Sequence, residues 1–133
     1  MRFDWPIPFE IPDSVWSRSG AQTWQSVGVA FAASPYRSPK SETPHPEFPI
    51  EIVPIAAVTA PVRDAGTPLF VDHRLLDVLQ AIVRGETLPA MLGQRCADHA
   101  ENPVEVIDGM HRFYASAAVG FTHVPVAIRR FIS

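Results

Sequence analysis

The segment Asp108-Gly109-Met110-His111-Arg112 holds the residue types and spacing that can do chemistry. An apolar β-branched run, Val104-Glu105-Val106-Ile107, precedes it, and a helix-forming stretch to Val119 follows. A strand that ends in Asp-Gly and turns at once into a helix presents the unpaired N–H groups and the positive dipole end of a first helical turn. Gly109 lets the backbone approach a ligand closely and take dihedrals closed to other residues. Arg112 offers a planar fork of donors suited to phosphate oxygens. His111 adds a further donor or a titratable ring. Together these read as a small anion site of the phosphate-binding kind, with Gly109, Met110, His111 and Arg112 around the phosphates. Asp108 is the candidate base toward a hydroxyl, or the ligand of a Mg ion that bridges phosphates. Asp108 and His111 are thus the candidate catalytic residues. The same residues also admit a structural reading, since Asp-Gly between strand and helix is a common turn with Asp108 as its cap.

The elements that must position this turn are legible from residue 50 onward. Ile50-Glu51-Ile52-Val53-Pro54-Ile55 alternates and is β-branched, so a strand is expected. Asp72 is placed to cap a helix. Leu75, Leu76, Leu79, Ile82 and Val83 follow at helical spacing, which predicts a helix over 73–84 with Gly85 as its stop. Leu88 to Gly93 reads as a short strand and Arg95 to Asn102 as a polar turn. Val104 to Ile107 reads as a strand, His111 to Val119 as a helix stopped by Gly120, and Val124 to Ile128 as a final strand. The order β-α-β-β-α-β predicts an α+β domain, a small mixed sheet with packed helices, over 50–133.

Residues 1–49 read differently. Pro6, Pro8, Pro12, Pro35, Pro39, Pro44, Pro46 and Pro49 lie there, out of fourteen prolines in the chain. Proline gives no ladder donor and pushes the preceding residue toward extended geometry. A proline-rich, partly ordered N-terminal arm is expected, with a helical turn at Asp13-Ser14-Val15-Trp16 and a short strand between Val27 and Ala33. Ser34 to Pro46 reads as a loop. Trp5, Trp16 and Trp24 are too much aromatic surface for a disordered tail, so the arm should pack on the domain or on a partner chain, including a second copy.

Composition limits the function classes. One domain of ordinary size fits 133 residues. The single cysteine, Cys96, excludes an internal disulfide and a cysteine-only zinc site. None of the five histidines pairs as His-x-His or at i, i+4, so no zinc site is expected. Asp98-His99 reads as a solvated turn, and Arg129-Arg130 with Arg63 and Lys40 as surface charge. A net charge of −3 provides no global basic field and argues against DNA as partner, though a local basic patch keeps DNA open. No long apolar run or leader pattern is present, so no membrane is expected and the chain reads as soluble and cytoplasmic.

The strand, the Asp-Gly-x-His-Arg turn, the following helix and the later Gly120-Phe-Thr-His-Val124-Pro125-Val126 resemble the ParB/sulfiredoxin-like superfamily over roughly residues 50–130. The upstream helix with Asp72-His-Arg74-Leu-Leu-Asp77, then Gly85 and Leu88-Pro89, fits the same pattern. The resemblance implies a nucleotide site. In sulfiredoxins a Gly-Cys-His-Arg motif binds ATP phosphates and its cysteine is the reacting thiol. Here Met110 stands in that place, and a thioether forms no thiolate, so sulfiredoxin activity is not expected. A lysine near the start of the upstream helix contacts the nucleotide there, and Arg74 occupies the similar place. ParB proteins carry Gly-Glu-Arg-Arg, bind CTP and depend on a further helix-turn-helix domain, which is not expected in this chain. Free serine kinases have an Asp-Gly-His-type motif, which Asp108-Gly109 resembles.

The resulting expectation is a protein that binds ATP or another NTP with Mg and acts as a small phosphotransferase or nucleotide hydrolase. The alternatives are a non-catalytic nucleotide- or partner-binding module acting through its arm, and a metal-dependent nuclease.

Overall fold

A computed structural model describes residues 1–24, 28–38, 40, 43–95 and 102–130. The β-branched residues near position 50 form β4 (Ile50–Pro54), after three two-residue strands in the arm: β1 (Arg2–Phe3), β2 (Phe9–Glu10) and β3 (Ala33–Ser34). β5 (Val58–Thr59) follows, then α2 (Asp72–Val83), β6 (Leu88–Pro89), β7 (Met91–Arg95), β8 (Val104–Asp108), α3 (Met110–Val119) and β9 (His123–Ile128). The arm also holds α1 (Asp13–Ser19), the helical turn that Asp13–Trp16 predicts, extended by a further turn's worth of residues.

The central sheet has strand order β4-β9-β7-β8-β5. β9 runs antiparallel to β4 and parallel to β7, β7 is antiparallel to β8, and β8 is parallel to β5. The fold is therefore α+β with a small mixed sheet, as the element order predicts. The register sets Val53 opposite Val124 and Met91 beside Val126. These side chains form one apolar cluster with Leu75, Leu79, Phe113 and Tyr114 from α2 and α3. Leu92 and Ala127 alternate to the opposite face of the sheet. There they meet Tyr36, Ala90 and Phe48 in a second cluster.

Several side chains of the arm join this packing. Ile11 is fully buried in the main cluster, and Phe9 lies 4.8 Å from Tyr114 and 6.3 Å from Phe70. Burying an aliphatic side chain of this size is worth about 1.5–3 kcal/mol, enough to hold a proline-rich segment that builds little ladder of its own. Trp16 and Trp24 pack against the main cluster, while Trp5 stays half exposed.

Several boundaries differ from the sequence expectation, each for a local reason. Asp72 is the first residue of α2 rather than its cap; Val71 holds that position and no side chain caps it. Gly85 stops the helix as expected, with φ 72, and the Glu86 N–H closes back on the Ala81 carbonyl. Leu88 to Gly93 is not one strand. The chain leaves a parallel pairing with β3 at Pro89 and joins the central sheet at Met91, because Ala90 turns its N–H to the Ser34 carbonyl. The strand expected between Val27 and Ala33 pairs only at Ala33–Ser34; Gly28 to Ala30 bend, and 25–27 lie outside the described residues. The turn expected over Arg95 to Asn102 also falls largely outside them, with Cys96, Asp98 and His99. No helix among the described residues is long and apolar enough to cross a membrane.

Candidate functional site

The junction of β8 and α3 is built on a bulge. Val106 stands opposite Gly93 and Asp108 opposite Leu92, so Ile107 is an extra residue with no partner on β7. A bulge of this kind shifts every later side chain to the other face. Asp108 consequently leaves the face of Val104 and Val106 and points to the face of Leu92 and Tyr36. The Tyr36 hydroxyl donates to its Oδ2 at 2.9 Å.

Gly109 makes the turn. Its φ of 130 and ψ of 24 lie where side chains are strained, and an added Cβ would sit 2.6 Å from Cγ of Met91. α3 then starts with Gly109 as its N-cap and no side-chain cap, so Asp108 does not serve as the cap that the structural reading assigns it. The first intrahelical bond runs from the Phe113 N–H to the Gly109 carbonyl. The N–H groups of Met110, His111 and Arg112 are thus left over, as at any uncapped helix start. Met110 and His111 line a cavity of about 490 Å³ together with Thr59 to Arg63, Arg74 and Glu105 to Gly109. A second hollow of about 360 Å³ continues over Arg74, Asp77, Val78 and Arg112. Such volumes suit a small-molecule ligand.

The charges around this cavity have distinct duties. Arg112 is only 14% exposed and spends one guanidinium nitrogen on the carbonyls of Pro89 and Ala90, at 2.7 and 3.0 Å. Its other terminal nitrogen stands 3.8 Å from Oδ2 of Asp108. Arg112 thereby fixes the β6–β7 connection against α3. Arg74 lies exposed on the first turn of α2, and its guanidinium has no hydrogen-bond or carboxylate partner among the described residues. Arg63 donates one N–H to the Leu69 carbonyl at 3.1 Å and lines the cavity from the other side. The two hollows hold three arginines against the three carboxylates Asp77, Glu105 and Asp108, and it is the cations that act on His111.

His111 registers that field. Burial first, then Arg63, Arg74, Arg112 and His73, hold its ring below the ordinary histidine value. Its Nε2 accepts the Val71 N–H at 2.9 Å, and the Phe70 ring lies 5.9 Å away. Tyr114, one turn on, donates to the Pro61 carbonyl at 2.7 Å, and burial pushes its phenol up to about 12. The two α3 side chains therefore pin the start and the end of the 60–71 segment.

A Mg ion held by the protein needs oxygen donors free to turn toward it. Asp108 offers its Oδ2 to Tyr36 and to the Arg112 guanidinium, and no three His, Cys, Asp or Glu residues gather among the described residues. The described residues build no metal cage of their own; a Mg ion brought in with phosphates would meet the carboxylate of Asp108 here.

The turn brings together every residue the sequence singled out: Asp108, Gly109, Met110, His111, Arg112 and Arg74 all line the two hollows. Sequence reasoning missed Arg63 and Tyr36. Arg63 reads as ordinary surface charge and Tyr36 as part of a loop, and their distance in sequence from residue 108 leaves no local spacing to find them by.

No protein-family model matches the sequence, and no curated protein matches it. Among solved structures, the chain is similar to the C-terminally truncated chromosome-partitioning protein ParB from Caulobacter crescentus complexed with CTP-gamma-S, at 21% identity and a TM-score of 0.47. That similarity covers 64% of this chain and 46% of the other, so this chain matches less than half of that structure's length.

Proposed function

We propose that this chain is a nucleotide-binding domain that grips the phosphates of an NTP at the start of α3. One observation carries the reading: α3 starts without a side-chain cap, and its first residues, Met110 and His111, line a cavity together with Arg63 and Arg74. Helix start and arginines add, because backbone donors and fixed cations act on the same anion in a partly desolvated place. The resemblance of the Asp108–Arg112 turn to nucleotide-binding relatives agrees with this reading.

Within the site the roles divide by freedom. Arg74 and Arg63 are the phosphate contacts, together with the α3 amides. Arg112 is a positioning residue, since one guanidinium nitrogen donates to Pro89 and Ala90 and the other faces Asp108. A phosphotransferase or hydrolase would need a base beside the phosphates. Asp108 is held by Tyr36, and Nε2 of His111 by Val71. The reading supported best is therefore binding without turnover, in which the bound nucleotide sets the state of the 60–71 segment. A partner acting through the arm would meet Trp5 and Val29, which stay exposed, and not Trp16 and Trp24, which pack against the main cluster.

Calorimetric titration with ATP, CTP and GTP, each with and without Mg, tests this. Micromolar binding of one of them, weakened in Arg74→Ala and accompanied by no phosphate release, is the expected outcome. No binding of any nucleotide defeats the reading.

A further inference from the structure

Two hydrogen bonds from α3 hold the 60–71 segment, and they differ in kind. Tyr114 donates to Pro61, and a buried phenol remains a donor across the working pH range. His111 accepts from Val71, and a backbone N–H only donates, so this second bond exists only while Nε2 carries no proton. Val71 is the N-cap residue of α2, three residues before Arg74, and the segment it ends carries Arg63. One imidazole thus fastens the segment and helix that present Arg63 and Arg74.

We propose that His111 is a proton-operated latch on the anion site: an oxyanion entering the cavity draws a proton from solvent onto Nε2, which releases Val71 and makes the ring a second donor to the anion. The inference rests on the anion site proposed above and adds its regulation. The step balances simply. One N–H bond forms at Nε2 with a proton from solvent or buffer, one hydrogen bond from Val71 is lost, and no electrons move.

The groups facing the ring set the direction. Arg63 on the segment, His73 and Arg74 on α2 and Arg112 on α3 all oppose a further positive charge, as does burial beneath Phe70. Glu105 and Asp108 on β8, and Asp77 on α2, line the same hollows, with Asp108 turned to Tyr36. With the cavity empty the cations dominate and the latch stays shut at neutral pH. A polyanion offsets them, and protonation becomes favourable. By linkage, affinity for the anion rises as pH falls.

The test uses the full chain with inorganic sulfate, whose charge is constant in this range, and with inorganic triphosphate. Calorimetry in two buffers of different ionisation enthalpy counts the protons taken up. His111→Gln is the control, because its amide oxygen still accepts from Val71 but takes no proton. Wild type should take up more protons per bound anion than His111→Gln, by a substantial fraction of one. Its sulfate affinity should rise about fivefold from about pH 7.5 to about pH 6, while that of His111→Gln stays nearly flat. Binding with equal proton counts in both proteins overturns the latch and leaves the anion site standing. Failure of both ions to bind at any pH removes both. If His111→Gln does not fold, a ring-nitrogen titration of His111 in wild type decides: a rise in its pKa on saturation with sulfate supports the latch, and an unmoved pKa overturns it.

Discussion

Tyr36 and Asp108 stand 2.9 Å apart, hydroxyl to Oδ2, joining a proline-rich arm to the last residue of β8. Tyr36 is buried, and burial followed by the neighbouring carboxylate raises its phenol above the ordinary value, so it stays a donor. The bulge at Ile107 is what turns Asp108 toward it. The carboxylate that the sequence offers as a base thus also carries, through Oδ2, a bond that ties the arm to the sheet.

Removing that donor has a defined cost. Tyr36→Phe keeps the ring in its apolar cluster and deletes only the bond to a charged acceptor, which should destabilise the fold by about 1.5–3 kcal/mol in urea unfolding. No loss of stability would show that Asp108 is satisfied elsewhere.

The two arginines of the site should separate cleanly. Arg112→Ala strips two backbone carbonyls of their donor, and a loss of about 2–3 kcal/mol in stability is expected. Arg74→Ala should leave thermal unfolding within about 0.5 kcal/mol of wild type, as for an unpaired surface residue. It should instead weaken triphosphate binding by about tenfold, the value of one charge-assisted bond. Equal stability losses in the two variants would contradict this division.

Gly109 admits no side chain. Gly109→Ala forces a Cβ onto Met91 at a φ that alanine rarely takes, so a loss of more than about 2 kcal/mol is expected, read by thermal or urea unfolding. A wild-type midpoint would mean that the turn relaxes.

Acid should loosen the fold through His111. Its native ring lies below the ordinary value, by burial first and the surrounding cations second. Above about pH 7.5, a unit over the ordinary value, the ring is neutral in both the folded and the unfolded state and adds no pH dependence. Below that value the unfolded chain binds a proton that the folded chain resists, so stability falls with pH until the native ring also titrates. Urea unfolding at about pH 7.5 and about pH 5.5 should show a smaller loss for His111→Gln than for wild type.

Much of this was legible in the sequence because it is local. The periodicity from Leu75 to Ile82 predicts α2, and Asp-Gly before a helix-forming run predicts the β8–α3 junction with its open amides. What was not legible depends on long-range packing. The split between β6 and β7 follows from Ala90 bonding to Ser34, over fifty positions away. The role of Arg112 follows from carbonyls at Pro89 and Ala90, which no spacing rule links to it. The bulge that redirects Asp108 lies opposite the Leu92–Gly93 step of β7, where Gly93 leaves no room for a Cβ between Val104 and Val126, and no local spacing announces it.

The most direct measurement is an amide correlation spectrum of the isotope-labelled chain, recorded as CTP, ATP or GTP is added. The N–H signals of Met110, His111 and Arg112 should move together, with those of Arg63 and Arg74, and their shifts should saturate at one nucleotide per chain. A nucleotide that binds and leaves these five amides in place would contradict the site.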